Sequence, residues 1–257
     1  MEQARFNGQV ALVTGGGSGF GRAAAEAFAV EGARVVVTGR TPAKLEETVS
    51  RIRSAGGEAL AVVGDVSVAA DAQRMAQACV DTFGRLDHLV NSAGVLGKGC
   101  RLCDLEEEAY ERTMAVDAKG VWLCMKYAIP QMLRTGGGTI VNVSSNQGLF
   151  ANRGNFEYVA AKHAVVGMTK AAAMDYGRDG IRVNGICPAA HATEMALAYA
   201  SRLDPLAWQA RLDAMYPATG RLGEVREAVD VILFLCSPAA SNIHGVCIPV
   251  DGGFSIQ

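Results

Sequence analysis

The chain has 257 residues, half of them apolar, and its 24 basic and 26 acidic side chains leave a net charge of −2. That length fits one domain with a sizeable core and leaves little room for a second. The charge balance gives no case for nucleic acid or an anionic membrane; no apolar run approaches the ~20 residues of a membrane span, and Met1 to Gln9 lack an apolar signal core.

Val10–Thr14 is a short apolar run suited to a buried parallel strand. The turn Thr14-Gly15-Gly16-Gly17-Ser18-Gly19-Phe20-Gly21 follows it. A helix is predicted over Gly21–Glu31, with Ala23, Ala24, Ala27 and Phe28 at helical spacing. Strand, glycine turn and helix in that order are what a dinucleotide site demands. Glycines let the backbone approach a pyrophosphate with no Cβ in the way, and the helix start offers free N–H groups. Gly15, Gly17, Ser18, Gly19, Phe20 and Gly21 are therefore candidate cofactor residues.

The second strand, Arg34–Thr38, runs into Gly39, Arg40 and Thr41. An acidic residue at this strand end would bind the ribose hydroxyls and repel a 2′-phosphate. Gly39 stands there instead. Arg40 can form bidentate bonds to a phosphate, and Thr41 adds a hydroxyl. This pattern points to NADP(H). NAD(H) is the alternative if Arg40 is simply a solvated arginine.

The chain then alternates. Helices are predicted over Pro42–Ala55, Ala69–Phe83, Glu106–Arg134, Glu157–Tyr176 and Glu224–Cys236. Strands are predicted over Ala59–Val63, His88–Asn91, Thr139–Val143, Arg182–Ile186 and Val246–Val250. Such alternation argues for an α/β fold with a parallel sheet and right-handed crossovers. The seven cysteines are scattered, which suits a reducing cytoplasm. Cys100 and Cys103 form a C-x-x-C that reads as a redox pair or as a loop with two thiols; no second pair or nearby histidine completes a metal site. The stretch His191–Tyr216 breaks the alternation and carries Met195, Leu197, Tyr199, Leu206 and Trp208. It reads as a lid over the carboxyl ends of the strands, or as helices packed on the core.

Tyr158 and Lys162 lie one helical turn apart and leave the same face. An ammonium beside a phenol favours the phenolate, so the pair can exchange a proton near neutral pH. Ser145 lies 13 positions before the tyrosine.

These pieces, with Asp65-Val66, Asn91-Ser92-Ala93-Gly94, Asn142 to Ser145, Arg182-Val183-Asn184, Pro188, Thr193 and Asp251-Gly252-Gly253, come in one order. In that order the chain resembles the short-chain dehydrogenase/reductase family over nearly its whole length. The resemblance implies a single Rossmann-type domain over residues 1–257, with a seven-stranded sheet in the order 3-2-1-4-5-6-7, helices on both faces and a small lid at about 191–216. It implies hydride transfer between a ketone and a secondary alcohol. Ser145 would bond the carbonyl oxygen and Tyr158 would be the general acid or base. Lys162 would tune the tyrosine and bond the nicotinamide ribose.

The same resemblance sets Asp65 at the adenine amino group and Val66 at the ring edge. Asn91, Ala93 and Gly94 would flank the nucleotide, and Pro188, His191 and Thr193 its carboxamide end. Three departures stand out. Asp117 takes the place of an asparagine in the catalytic set, Ala189 that of a glycine, and His191 that of a small aliphatic residue. The His191 ring is expected to touch substrate or to turn to solvent. Asn146, Gln147, Asn155, Met195 and Tyr199 are candidate substrate contacts. The apolar lid points to a hydrophobic or cyclic carbonyl or alcohol. A homotetramer is implied, packed through Glu106–Arg134 and through Ala160, Ala161, Ala164, Gly167 and Ala171. The competing readings are an epimerase or dehydratase on the same fold, and a non-catalytic nucleotide-binding regulator.

Overall fold

The computed structural model describes residues 4–193, 197, 200–201, 204–216 and 218–256. Seven strands form one parallel sheet: β1 (Val10–Thr14), β2 (Arg34–Gly39), β3 (Ala59–Val63), β4 (His88–Asn91), β5 (Gly138–Val143), β6 (Ile181–Pro188) and β7 (Cys247–Val250). Their order is β3-β2-β1-β4-β5-β6-β7, as expected. The helices among the described residues are α1 (Gly19–Val30), α2 (Pro42–Ser54), α3 (Ala69–Phe83), α4 (Glu107–Met114), α5 (Gly120–Arg134), α6 (Phe156–Tyr176), α7 (Pro205–Met215) and α8 (Val225–Cys236).

Successive strand residues point to opposite faces of a sheet, so the apolar runs feed two cores. Ala11, Val13, Val35 and Val37 pack with Phe28 of α1, Leu45 of α2 and Ile232 of α8. Val10, Leu12, Val36 and Leu89 pack on the other side with Met75 of α3, Met132 of α5 and Val165 of α6. The chain crosses from one half of the sheet to the other between β3 and β4, and β4 returns beside β1. That reversal opens a crevice beyond the carboxyl ends of β1 and β4.

One expectation changes. The single predicted helix Glu106–Arg134 is broken: α4 and α5 are joined by a π-type turn, Ala115–Lys119, which buries Val116, Asp117 and Ala118. Gly120 then seats the start of α5 on Val66, whose Cγ2 would lie 2.7 Å from a Cβ at that position. In the predicted lid, α7 begins at Pro205 and is capped by Asp204, which accepts the Ala207 N–H at 2.9 Å. Leu212 of α7 is buried while Leu206 is 82% exposed. Met195 and Tyr199 lie outside the described residues.

His88 opens β4 in the core, with its ring nitrogens 2.7 Å from Thr139 Oγ1 and 2.8 Å from Gln9 Oε1. Burial pushes its pKa down to about 4 from an ordinary 6.5. The unfolded chain therefore binds this proton first as pH falls. Stability is expected to drop between those two values at about 1.4 kcal/mol per pH unit. Thermal unfolding from pH 7 to pH 4 should show a flatter dependence in His88→Gln. Parallel curves for the two proteins would remove His88 from the acid response.

Candidate active site

The crevice is built first from glycines. Gly15 has φ +67°, and a Cβ there would lie 2.9 Å from Ala93 Cα. A Cβ on Gly21 would run into the Gly15 carbonyl. Neither position admits a side chain, and the absent side chains leave a backbone cradle at the start of α1. Neighbours hold the turn in shape. Thr14 Oγ1 accepts the Ser92 and Ala93 N–H groups, each at 3.1 Å. Thr48 Oγ1 donates to Gly16 O at 2.9 Å, and Arg22 donates to Gly17 O at 2.6 Å.

Two clefts meet at this turn. One, of about 190 Å³, is walled by Gly17, Gly39, Arg40, Thr41, Asp65 and Val66, and the other, of about 490 Å³, by Gly19, Phe20, Ser92 and Thr193. Gly15, Ser18, Lys44, Ala93 and Gly94 line both. Arg40 is 57% exposed, with Nη1 3.9 Å from Asp65 Oδ2. Asp65 also accepts from the Ser67 N–H at 2.9 Å and the Ser67 hydroxyl at 2.7 Å. The cradle and its paired clefts fit a dinucleotide, which would lie across the turn with one end at Arg40 and the other at Thr193.

The second part of the site sits at the ends of β5 and α6. Ser145 Oγ accepts the Gln147 N–H at 3.2 Å and donates to Asn146 Oδ1 at 3.1 Å. Ser144 turns the other way and donates to Lys162 O at 2.9 Å. On α6, Tyr158 is half-buried while Lys162 lies in the interior. The Lys162 ammonium stands 5.4 Å from the centroid of the Tyr158 ring. Its partner is Asp117, delivered by the π-type turn, with Nζ to Oδ2 at 3.0 Å; the two side chains are 6% and 0% exposed. Asp117 Oδ1 accepts the Val95 N–H at 2.8 Å. Burial pulls the Lys162 pKa down, but the charges of ionised Tyr158 and of Asp117 outweigh it and hold the group above its ordinary value.

Asn91 is buried and donates to Asn142 Oδ1 at 2.9 Å, tying β4 to β5. Asn146 is 7% exposed and holds the Ser145 hydroxyl, so its side chain is not an open substrate contact. His191, 4% exposed, does not turn to solvent. Its Nδ1 lies 2.9 Å from Ala189 O, its ring meets Phe20 edge-on at 5.0 Å, and a Cβ on Gly223 would be 2.6 Å from Nε2. Pro188 closes β6, and Gln147 and Asn155 are half-buried near Ser145 and at the start of α6. Ala161 faces this chain's own core rather than a neighbour. Among the described residues no group of three or more His, Cys, Asp or Glu side chains is set to hold a metal.

Two residues escaped the sequence reading. Glu157 is fully buried, and its Oε1 accepts the Lys98 N–H at 2.5 Å, pinning the loop after β4 to the first turn of α6. Lys44 lines both clefts. Its only signal in sequence is a cation soon after Arg40.

A family model described as Enoyl-(Acyl carrier protein) reductase matches residues 15–255. An uncharacterized oxidoreductase of Thermotoga maritima is 42% identical over 250 residues, 96% of this chain and 98% of its own. The 2,5-dichloro-2,5-cyclohexadiene-1,4-diol dehydrogenase LinX of Sphingobium indicum is 39% identical over 255 residues, 98% of each chain. The crystal structure of levodione reductase superimposes with a TM-score of 0.92 at 34% identity, covering 98% of this chain and all of that one.

Proposed function

The chain belongs to the short-chain dehydrogenase/reductase family, and from that membership we propose that it is an NADP(H)-dependent oxidoreductase that interconverts a ketone and a secondary alcohol. The observation that carries the reading is the position of Tyr158 and Lys162. They share one turn of α6 at the end of β5, where Ser144, next to Ser145, donates to Lys162 O at 2.9 Å, and a Cβ on Gly94, which lines both clefts, would lie 3.5 Å from the Lys162 ammonium. The nicotinamide, when bound, supplies or accepts the hydride. In reduction Ser145 rotates its hydroxyl from Asn146 to the carbonyl oxygen, and Tyr158 gives that oxygen its proton. Lys162 stays charged beside the ring, because the Asp117 carboxylate is at hand. In oxidation the proton moves the other way.

The substrate reading is a hydrophobic or cyclic carbonyl or alcohol. Phe254 packs 6.0 Å from Phe150 and 6.4 Å from Tyr216, centroid to centroid, which supports an aromatic wall on the side of the loop after Ser145. LinX is named for a cyclic diol, which agrees with this reading. A panel of cyclic and open-chain ketones and alcohols, followed by NADPH absorbance, tests it. Bound nucleotide with no turnover on any member would reject the enzyme reading in favour of a regulator.

NADP(H) preference rests on Arg40 and on the missing acid at Gly39. Arg40→Asp is expected to weaken NADPH binding at least tenfold and to improve the relative use of NADH, since a carboxylate would face the 2′-phosphate. A wild-type enzyme that already prefers NADH would show that Arg40 has another job.

A homotetramer is proposed on the outer faces of α5 and α6. Gly167 has open space around it, while Phe156, Met174 and Trp122 are 46%, 84% and 46% exposed. Small and apolar residues at helical spacing favour close helix contact between copies. Light scattering at micromolar concentration should give the tetramer mass; a monomer would contradict it. No described helix is long and apolar enough to cross a membrane. All seven cysteines are unbridged, which agrees with a reducing cytoplasm.

A further inference from the structure

Lys44 is the only charged side chain lining both clefts of the cradle, among the described residues. It sits in the first turn of α2 with its stem on the glycine turn: a Cβ on Gly17 would lie 3.0 Å from Lys44 Cβ. The other cations around the turn are engaged. Arg22 bonds Glu47 and Gly17 O, Arg51 bonds Glu47, and Arg40 stands 3.9 Å from Asp65. The ammonium of Lys44 has no hydrogen bond or ion pair among the described residues, and the side chain is exposed. The adenosine-side cleft therefore presents two cations, Arg40 and Lys44, against one carboxylate, Asp65. A ribose bearing only hydroxyls would leave that surplus positive charge unanswered. A phosphate monoester, with a charge of about −1.5 to −2 near pH 7, answers it.

We propose that Lys44 is a specificity-determining residue that closes on the 2′-phosphate of NADP(H) from α2, opposite Arg40 at the end of β2. The inference rests on the NADP(H) reading of the site. The two cations divide the task. Arg40 offers a planar fork but shares its charge with Asp65. Lys44 is a flexible point charge with no competing partner, able to follow the phosphate.

The test measures dissociation constants for NADPH and NADH, by nucleotide fluorescence, in the wild type, Lys44→Gln, Arg40→Gln and the double variant. Inhibition by 2′,5′-ADP and 5′-AMP is compared in parallel. Because Lys44 is exposed, Lys44→Gln should fold with an unchanged melting temperature. NADPH binding should weaken about tenfold, the effect of one hydrogen bond to a charged group. NADH binding should stay within about twofold, since no 2′-phosphate is there to lose the contact. Inhibition by 2′,5′-ADP should weaken while that by 5′-AMP holds, and NADPH affinity should become less sensitive to salt. Equal losses for NADPH and NADH would place Lys44 on the pyrophosphate and overturn the proposal. Loss of NADPH affinity in Arg40→Gln with none in Lys44→Gln would leave the NADP(H) reading standing and overturn the role of Lys44. A wild type that binds NADH more tightly than NADPH would overturn both.

Discussion

Tyr158→Phe is expected to fold, bind NADPH with near wild-type affinity and lose turnover by a factor on the order of 10² or more. The ring stays in place on the first turn of α6, so packing around it is undisturbed. What goes is the hydroxyl that, in the proposed reaction, passes a proton to the carbonyl oxygen. No other described group is set to replace it. Lys162 is tied to Asp117 at 3.0 Å and lies in the interior. Ser145 has a hydroxyl with an ordinary alcohol's reluctance to ionise, and it is held between Asn146 and Gln147. Turnover near the wild-type rate in Tyr158→Phe, on any ketone the enzyme reduces, would sink the acid–base assignment.

Asp117 carries the second large effect, and its two substitutions separate structure from chemistry. Asp117→Ala removes the partner of a buried ammonium and the acceptor of the Val95 N–H. Breaking a buried pair from one side costs about 3–5 kcal/mol, so this variant should melt far below the wild type. Asp117→Asn keeps an oxygen for the Val95 N–H but turns an amide NH2, a donor, toward the Lys162 ammonium in place of the carboxylate oxygen. Its stability should fall less than that of Asp117→Ala, which loses both contacts, and its catalysis should change in a directed way. In the wild type a carboxylate 3.0 Å from Lys162 offsets part of the field that the ammonium exerts on the phenolate. The oxidative pH–rate profile of the wild type should therefore lie at higher pH than that of Asp117→Asn. Superimposable profiles would show that Asp117 does not tune the site. An inactive wild type beside an active Asp117→Asn would show a proton path blocked by the carboxylate.

The sheet was legible because its strands are buried on both faces, and such strands announce themselves as short apolar runs between glycines. Val10–Thr14 and Ala59–Val63 are found at the bounds that their composition predicts. The break at Ala115–Lys119 was not legible from the residues alone, because its one flanking glycine, Gly120, sits in an apolar helical pattern that tolerates a single glycine. It follows from tertiary demands: Asp117 must reach Lys162 while Gly120 settles on Val66. The motif residues of the site came from local signals such as the glycine turn and the Tyr158–Lys162 spacing. Their partners did not. Glu157 meets Lys98 across 59 positions, and Asp117 meets Val95 across 22; nothing local records those bonds. The burial of His191, which removes the solvent-facing one of its two readings, was not legible for the same reason. Its burial depends on Gly223 and Phe20, which approach it only in the fold.

The most direct test is to follow the hydride itself. Wild-type enzyme is given NADPH carrying deuterium at the transferable C4 position, together with a cyclic ketone from the panel, and the alcohol is examined by mass spectrometry. The proposed reaction puts deuterium on the carbinol carbon in the wild type and very little in Tyr158→Phe over the same time. If the nucleotide binds, yet no alcohol forms or the alcohol carries no deuterium, the protein is not the NADP(H)-dependent carbonyl reductase proposed here.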